Sequence, residues 1–129
     1  MIGKVINNIL SGSATLTALV PAVNIFPYVL NENTTLPAII YTIDAVSPEY
    51  TKDGWSLDEI TFSITSIHKD YNILQSIVTA VRRALEMDRG TIEGITIQRI
   101  YMTSMLEGYS NNEDVFANRM SFNVNVIDY

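Results

Sequence analysis

The sequence predicts an α+β fold: an antiparallel four-stranded sheet, in the order β-β-α-β-β, packed by one long helix and preceded by a short N-terminal helix. Apolar residues recur at spacings of three and four between Asp70 and Glu86, which is the pattern of an amphipathic helix. Two strand-like segments precede this helix and two follow it. The connections within each pair have hairpin length, which favours antiparallel pairing, and the Asp70–Glu86 helix and the N-terminal helix can cover the apolar face.

The size and composition of the chain predict one domain spanning residues 1–129. The chain has 129 residues, of which 47% are apolar, enough for one sizeable core. It contains no cysteine, so disulfides and thiolate metal sites are excluded. Near the N-terminus only Lys4 is basic, and Asn7 and Asn8 interrupt the apolar run. No continuous apolar span approaches the roughly 20 residues that cross a bilayer, so we expect a soluble, unsecreted protein that does not contact a membrane.

The N-terminal third carries short elements. Apolar residues at helical spacing predict a helix over residues 2–10, which Ser11 and Gly12 end. A second, Leu-rich turn over residues 16–20 is closed by Pro21, because the residue before proline disfavours the helical region. Residues 22–30 are either an extended connector or an edge strand, since Pro27 cannot donate to an interior ladder.

Four segments carry the strand signal. β-Branched and aromatic residues predict a strand over 38–45, and strict alternation predicts strands over 57–67 and 116–127. The apolar phase shifts within the strand predicted over 95–106, as a β-bulge or a strand covered on both faces requires. We expect polar loops over 46–56 and 107–114 and a turn over 91–94, and for the long helix we expect Asp70 to be the N-cap.

Catalytic and metal-binding patterns are missing from the sequence. His68 is the only histidine, so a catalytic triad would have to use it, and a histidine metal site would have one ligand at most. The acidic pairs 58–59 and 113–114 are adjacent, and neighbours on a strand point to opposite faces, so neither pair converges as an acid and base would need. No glycine pattern cradles phosphate. We therefore expect no catalytic, cofactor-binding or metal-binding residue, and no cofactor.

The acidic charge balance disfavours nucleic acid binding. The net charge is −6, which is the wrong sign for a surface that grips phosphates. Tyr50 and Trp55 lie in a segment too long for a tight hairpin. Trp55 either folds back onto the sheet or contacts a partner, because aromatic anchors on projecting loops dominate many interfaces. We take both aromatic residues as candidate interface residues.

The order of elements resembles the tail terminator, or tail-completion, family of long-tailed bacteriophages, of the lambda minor tail protein U type. The matching features are the N-terminal helix, the Leu-rich turn, a proline-led strand, an alternating strand, the amphipathic helix and a final strand that begins with a basic residue. They lie at residues 2–10, 16–20, 36–41, 60–64, 73–85 and 119–124.

The resemblance implies a structural virion protein, assembled in the bacterial host cytoplasm, without enzymatic activity. It implies a homo-oligomeric ring, commonly a hexamer, that terminates the tail tube and joins it to the head completion or connector protein. DNA would pass through the lumen without specific binding, and an acidic lining would suit that passage. Arg119 matches the basic residue that opens the last strand, and its role would be a subunit salt bridge or a solvated edge charge.

Two alternatives remain open at this point. The chain could be another neck component or a tail tube subunit, because such subunits also build rings from sheets. It could also be a cytosolic small-molecule-binding domain whose pocket is lined by Tyr41, Phe62 and Tyr101. Aromatic residues at strand spacing are, however, more often plain core.

Overall fold

A computed structural model of the chain describes residues 2–29, 35–50, 56–86, 90–92, 94–111 and 113–127. The helices are α1 (Ile2–Gly12), α2 (Ala14–Thr17) and α3 (Tyr71–Glu86), with a 3-10 turn at Ala22–Asn24. The strands are β1 (Ile25–Pro27), β2 (Ala38–Tyr50), β3 (Ser56–His68), β4 (Gly90–Ile92), β5 (Ile95–Ser110) and β6 (Val115–Ile127).

The strands form one mixed sheet in the order β1-β2-β3-β6-β5-β4. β1 runs parallel to β2, every other neighbouring pair is antiparallel, and the sheet curls into a half-barrel. The predicted fold class, an antiparallel four-stranded sheet packed by one long helix, is therefore wrong. β4 was not predicted, β1 was only one of two alternatives for residues 22–30, and β1 pairs in parallel with β2.

The two short strands lie at the two edges of the sheet and have three residues each. β1 contains Pro27, which an edge strand tolerates because one side of its backbone needs no partner. β4 begins at Gly90, whose φ of 102° lies in the left-handed region that glycine adopts without strain. Three residues are too few to establish a period of two, so β4 was not predicted and β1 was only one of two alternatives for its segment.

Both long hairpins extend well past the predicted strand ends. β2 continues to Tyr50, so most of the predicted loop over 46–56 belongs to the ladder with β3. β5 continues to Ser110, and the predicted loop over 107–114 shrinks to a turn. These extensions are paired but exposed, so they lack the buried apolar residues from which the strand ends were predicted. The predicted irregularity in β5 is confirmed, because its register with β6 shifts twice.

The core lies between one face of the sheet and the helices. α1 buries one stripe of five apolar residues, Ile2, Val5, Ile6, Ile9 and Leu10. α3 packs on β3, β5 and β6, and its buried residues are Leu74, Ile77, Val78, Ala80, Val81 and Leu85. The opposite face of the sheet, called here the outer face, is polar along β3 and β6.

The start of α3 agrees with the prediction for Asp70. Its Oδ1 accepts hydrogen bonds from the backbone N–H groups of Asn72 at 2.9 Å and Ile73 at 3.3 Å. A carboxylate at this position satisfies donors that have no partner within the helix. Asp70 thereby fixes where α3 begins, directly after β3.

Phe62 and Phe122 form the centre of the core. They are direct cross-strand partners on β3 and β6, and their rings stack with centroids 5.4 Å apart at 14°. Both side chains are fully buried. The pair joins the two central strands on the face that the helices cover.

We predict that Phe122→Ala lowers the free energy of unfolding by about 3–5 kcal/mol, since truncation removes the stacked ring and leaves a cavity that the sheet cannot fill. Asn125→Ala on the outer side of the same strand is the control and should stay within about 0.5 kcal/mol. Urea denaturation at one fixed protein concentration measures both. Equal effects for the two variants would contradict this assignment of the faces.

Candidate assembly surfaces

The outer face carries a network of hydrogen bonds between strands. Asn123 on β6 is its centre: Thr61 donates to Asn123 Oδ1 at 2.9 Å, and Asn123 Nδ2 donates to Glu59 at 3.0 Å and to the Tyr101 hydroxyl at 3.2 Å. Arg99 stacks over the Tyr101 ring at 4.7 Å. Polar side chains that bond one another across three strands stay in fixed positions, which gives this face a defined pattern of charge and donors.

Arg119 lies on this face and is paired within the chain. Its Nη2 lies 3.5 Å from Asp44 Oδ1 and donates to Ser63 Oγ at 3.2 Å, while Ser63 donates to the other oxygen of Asp44. The two charged side chains are 53% and 32% exposed, so the pair contributes little to stability. Asp44 was not predicted as a partner. It lies where the register of β2 with β3 shifts, between Ile43 and Ala45, a feature that strict alternation does not reveal.

Tyr50 belongs to the outer part of the β2–β3 hairpin, called here the β2–β3 arm (residues 44–50 and 56–60). Tyr50 ends β2, is 78% exposed and is the register partner of Ser56. Trp55 lies outside the described residues. The candidate interface residues therefore occupy two places: Tyr50 lies on the arm and Arg119 lies on the outer face.

A carboxylate anchors the other hairpin to α3. Glu107 on β5 accepts hydrogen bonds from Gln75 at 2.8 Å, from Tyr71 at 2.9 Å and from Asn118 at 3.1 Å. The bonds from Gln75 and Tyr71 lower the pKa of Glu107, and the bond to Glu107 raises the pKa of Tyr71. Glu107 was predicted to lie in a polar loop, and no local pattern indicates that a residue 32 positions earlier on a helix would bind it.

The cavities and the ionisable groups of the described residues were compared with the arrangements that metal binding or catalysis requires. Within the described ranges, no group of three or more His, Asp or Glu side chains could hold a metal ion. The open groove between α2 and α3 has a volume of about 710 Å³ and one cation, Arg83, among small hydroxyl and apolar side chains. His68 lies opposite Phe116 in the ladder, and its Nδ1 has no hydrogen-bond partner among the described residues.

The three aromatic residues considered as a pocket lining do not meet. Phe62 and Tyr41 belong to the buried core, whereas Tyr101 points from β5 to the outer face, where it bonds Asn123. They are separated by the sheet itself, so they do not line one pocket.

A sheet with an internally bonded polar face and projecting hairpins defines a structural domain whose surfaces suit protein contacts. The family model of tail completion protein gp17 matches residues 4–127, nearly the whole chain. The chain belongs to this family, which confirms the resemblance found in the sequence. It is thus a structural component of a virion tail.

The comparison with solved structures supports the same fold. A chain in the structure titled "Virion of native gene transfer agent (GTA) particle" matches with a TM-score of 0.80 and 16% identity, over 95% of this chain and 91% of that chain. At this identity the match shows the fold alone. No curated protein matches the sequence. Among the described helices, none has the length and apolar character needed to cross a bilayer.

We predict that the attachment of the β5–β6 hairpin to α3 weakens in acid. A lowered pKa means that the stabilisation is complete above the ordinary pKa of glutamate, about 4.3, and is lost as the pH falls through the lowered value. Hydrogen-exchange protection factors of residues 105–110 and 115–118 should therefore hold at neutral pH and fall at acidic pH.

Glu107→Gln should lower this protection at neutral pH and remove its acid dependence, because the charged acceptor is gone. Glu113→Gln, on the exposed turn of the same hairpin, is the matched control and should behave as the unmodified chain does. An unaltered acid response in Glu107→Gln would refute the role of this carboxylate.

Proposed function

We propose that this chain, as a single domain of residues 1–129, assembles into a ring of six copies that terminates the tail tube of a long-tailed phage. The ring joins the tube to the head completion or connector protein. The observation that carries the proposal is the tail-completion family match over residues 4–127. A protein that completes a tail must bind the end of a tube and leave its channel open, and a ring meets both requirements.

The charge of the chain supports passage of DNA through the lumen without specific binding. The net charge is −6, so an assembled ring repels the phosphate backbone rather than retaining it. Two of the arginines counted in this net charge lie on the outer face. Arg119 is paired with Asp44, and Arg99 stacks over the Tyr101 ring. The ring acts without enzymatic activity and is assembled in the bacterial host cytoplasm.

The outer face and the β2–β3 arm supply contacts to neighbouring subunits in this proposal. Tyr50 is exposed at the end of a long hairpin, where a large aromatic side chain gains most from burial against a partner. Trp55 follows it in the sequence, and Arg119 lies on the adjoining outer face with Asp44.

The first test is the size of the assembly. We expect light scattering on concentrated purified protein to give a closed oligomer of six times the 14.4 kDa chain mass, and negative-stain images to show single-layer rings with a central hole. Open filaments would instead favour the function of a tail tube subunit. Such a subunit has two mutually complementary ring faces, so its rings stack without limit. A protein that remains monomeric at every concentration tested would overturn the proposed ring.

The second test concerns the arm. Trp55→Ala and Tyr50→Ala should each weaken the oligomer while leaving the far-UV circular dichroism spectrum of the monomer intact, because they remove contact area rather than core. Ile73→Ala is the control, since it removes a partly exposed apolar side chain from α3. Oligomer size unchanged at every concentration in both arm variants would count against an interface at this arm.

A further inference from the structure

The outline of the sheet has the same width at both ends. One row of register partners runs through Leu106, Arg119, Thr65, Ile40 and Phe26, and crosses five strands from β5 to β1. A row at the other end runs through Thr91, Thr96, Ile127, Leu57 and Glu49, and also crosses five strands, from β4 to β2. β1 therefore widens the sheet at the end where β5 has no further described strand beside it. β4 widens it at the other end, where β2 has no further described strand beside it.

The middle rows cross four described strands and resist pairing with another chain. On β5, the backbone N–H of Met102 is 3.4 Å from Glu86 Oε1, so this donor is already used. Register shifts interrupt β5 on both sides of this region and β2 at the same level. Bulges and occupied donors are the devices with which natural sheets prevent unlimited strand addition. Contact between copies at this level must come from side chains.

Apolar side chains are exposed at both edges of the five-strand row that ends in β1. Leu106 is 70% exposed at the β5 edge and Met105 is 37% exposed beside it. On the opposite edge Tyr28, which bonds the backbone of Tyr41 directly after β1, is 59% exposed, and Val29 is 72% exposed. The row of Met105 ends at Pro27, directly before Tyr28, so the two groups lie close to one level on opposite sides of the sheet. A head-to-tail contact between identical subunits requires this arrangement.

Opposite charges lie at the two edges near the other end. Arg99 is exposed on the outer face of β5, and its row leads through Asn125 and Glu59 to Ser47 on β2. Glu49 is the next outer-face position along β2. Neither Arg99 nor Glu49 forms an ion pair with another described residue, so the two are free to pair with each other across a boundary between copies.

Strand direction is compatible with such a boundary. The antiparallel pairings of β2 with β3, β3 with β6 and β6 with β5 make β5 run opposite to β2, and β1 runs parallel to β2. When identical copies are related by rotation about an axis along the strands, β5 of one copy is antiparallel to β1 and β2 of the next. Rows at one level then meet.

We propose that copies of this chain join edge to edge, with β5 of one copy against β1 and β2 of the next. Leu106 and Met105 bury against Tyr28 and Val29, and Arg99 pairs diagonally with Glu49. This contact rests on the ring proposed above and adds the sheet edges to the surfaces that build it. Because a given edge meets the opposite edge, the contact is heterologous and closes when the rotation does.

A charge swap tests the ionic half of this contact. Arg99→Glu and Glu49→Arg should each raise the concentration at which the ring dissociates by about tenfold, because like charges then face each other, and the double variant should restore assembly. Arg83→Glu, on the exposed side of α3, is the matched control, and this variant should assemble normally. Circular dichroism of each variant reports whether it folds, and the rescue by the double variant separates contact from folding.

Cross-linking tests the apolar part of this contact. The chain contains no native cysteine, so only the introduced cysteines react with the cross-linker. The variant Leu106→Cys with Tyr28→Cys, treated with a short bis-maleimide, should give a covalent ladder up to the full ring. Each single variant should remain monomeric under denaturing electrophoresis, because a heterologous contact keeps identical positions apart. Leu106→Cys with Arg83→Cys is the control and should give no ladder.

The outcomes distinguish this contact from the ring itself. If the unmodified chain forms no closed ring, the proposed function fails and the edge contact fails with it. If rings form but the charge variants assemble normally and the double-cysteine variant gives no ladder, the edge contact is overturned while the ring stands. Dimers from Leu106→Cys alone would replace the head-to-tail contact with an isologous one.

Discussion

The structure depends on the alternation of side chains along β3 and β6, the two central strands. Ile60, Phe62 and Ile64 point to the helices, and their register partners Val124, Phe122 and Met120 do the same. The intervening residues form the hydrogen-bonded outer face. A slip of one residue between these strands would exchange the two faces, so the buried stack of Phe62 on Phe122 also fixes which residues the protein presents to its partners.

The elements that the sequence predicts well are those whose burial is periodic. α3 buries one stripe and begins at a capping carboxylate, so its existence and its start follow from local chemistry. β3 and β6 are half-buried over most of their length, which yields clean alternation. These elements were predicted correctly even though the fold class assembled from them was not.

The wrong fold class has a physical cause in the edges. β1 and β4 are held by backbone pairing to a longer neighbour, and such bonds leave no trace in side-chain composition. The exposed ends of β2 and β5 are strands because β3 and β6 continue beside them. The sequence of β2 or β5 alone does not contain this information. Pairing between distant segments decides where these strands end, and a reading of local patterns cannot supply it.

The same distinction separates what was predicted about the surfaces from what was missed. Tyr50 was selected as a large aromatic side chain outside a predicted strand, and it is exposed. Arg119 was selected from its position in the last strand, yet its partner Asp44 depends on an irregularity in β2. Glu107 was assigned to a solvated loop, although it joins β5 to α3 through three hydrogen bonds. Residue type indicated which groups are polar, and only the tertiary fold assigns their partners.

The middle of the β5 edge is protected against unspecific strand addition, which matters for a protein made mostly of strands. An exposed β5 with free N–H groups would recruit any extended chain, including another copy in any register. Glu86 at the Met102 N–H and the bulges on both sides remove that option. What remains for association is side-chain chemistry, which tolerates only a partner that presents complementary groups at the right level. Association through side chains therefore favours a specific partner over unlimited strand addition.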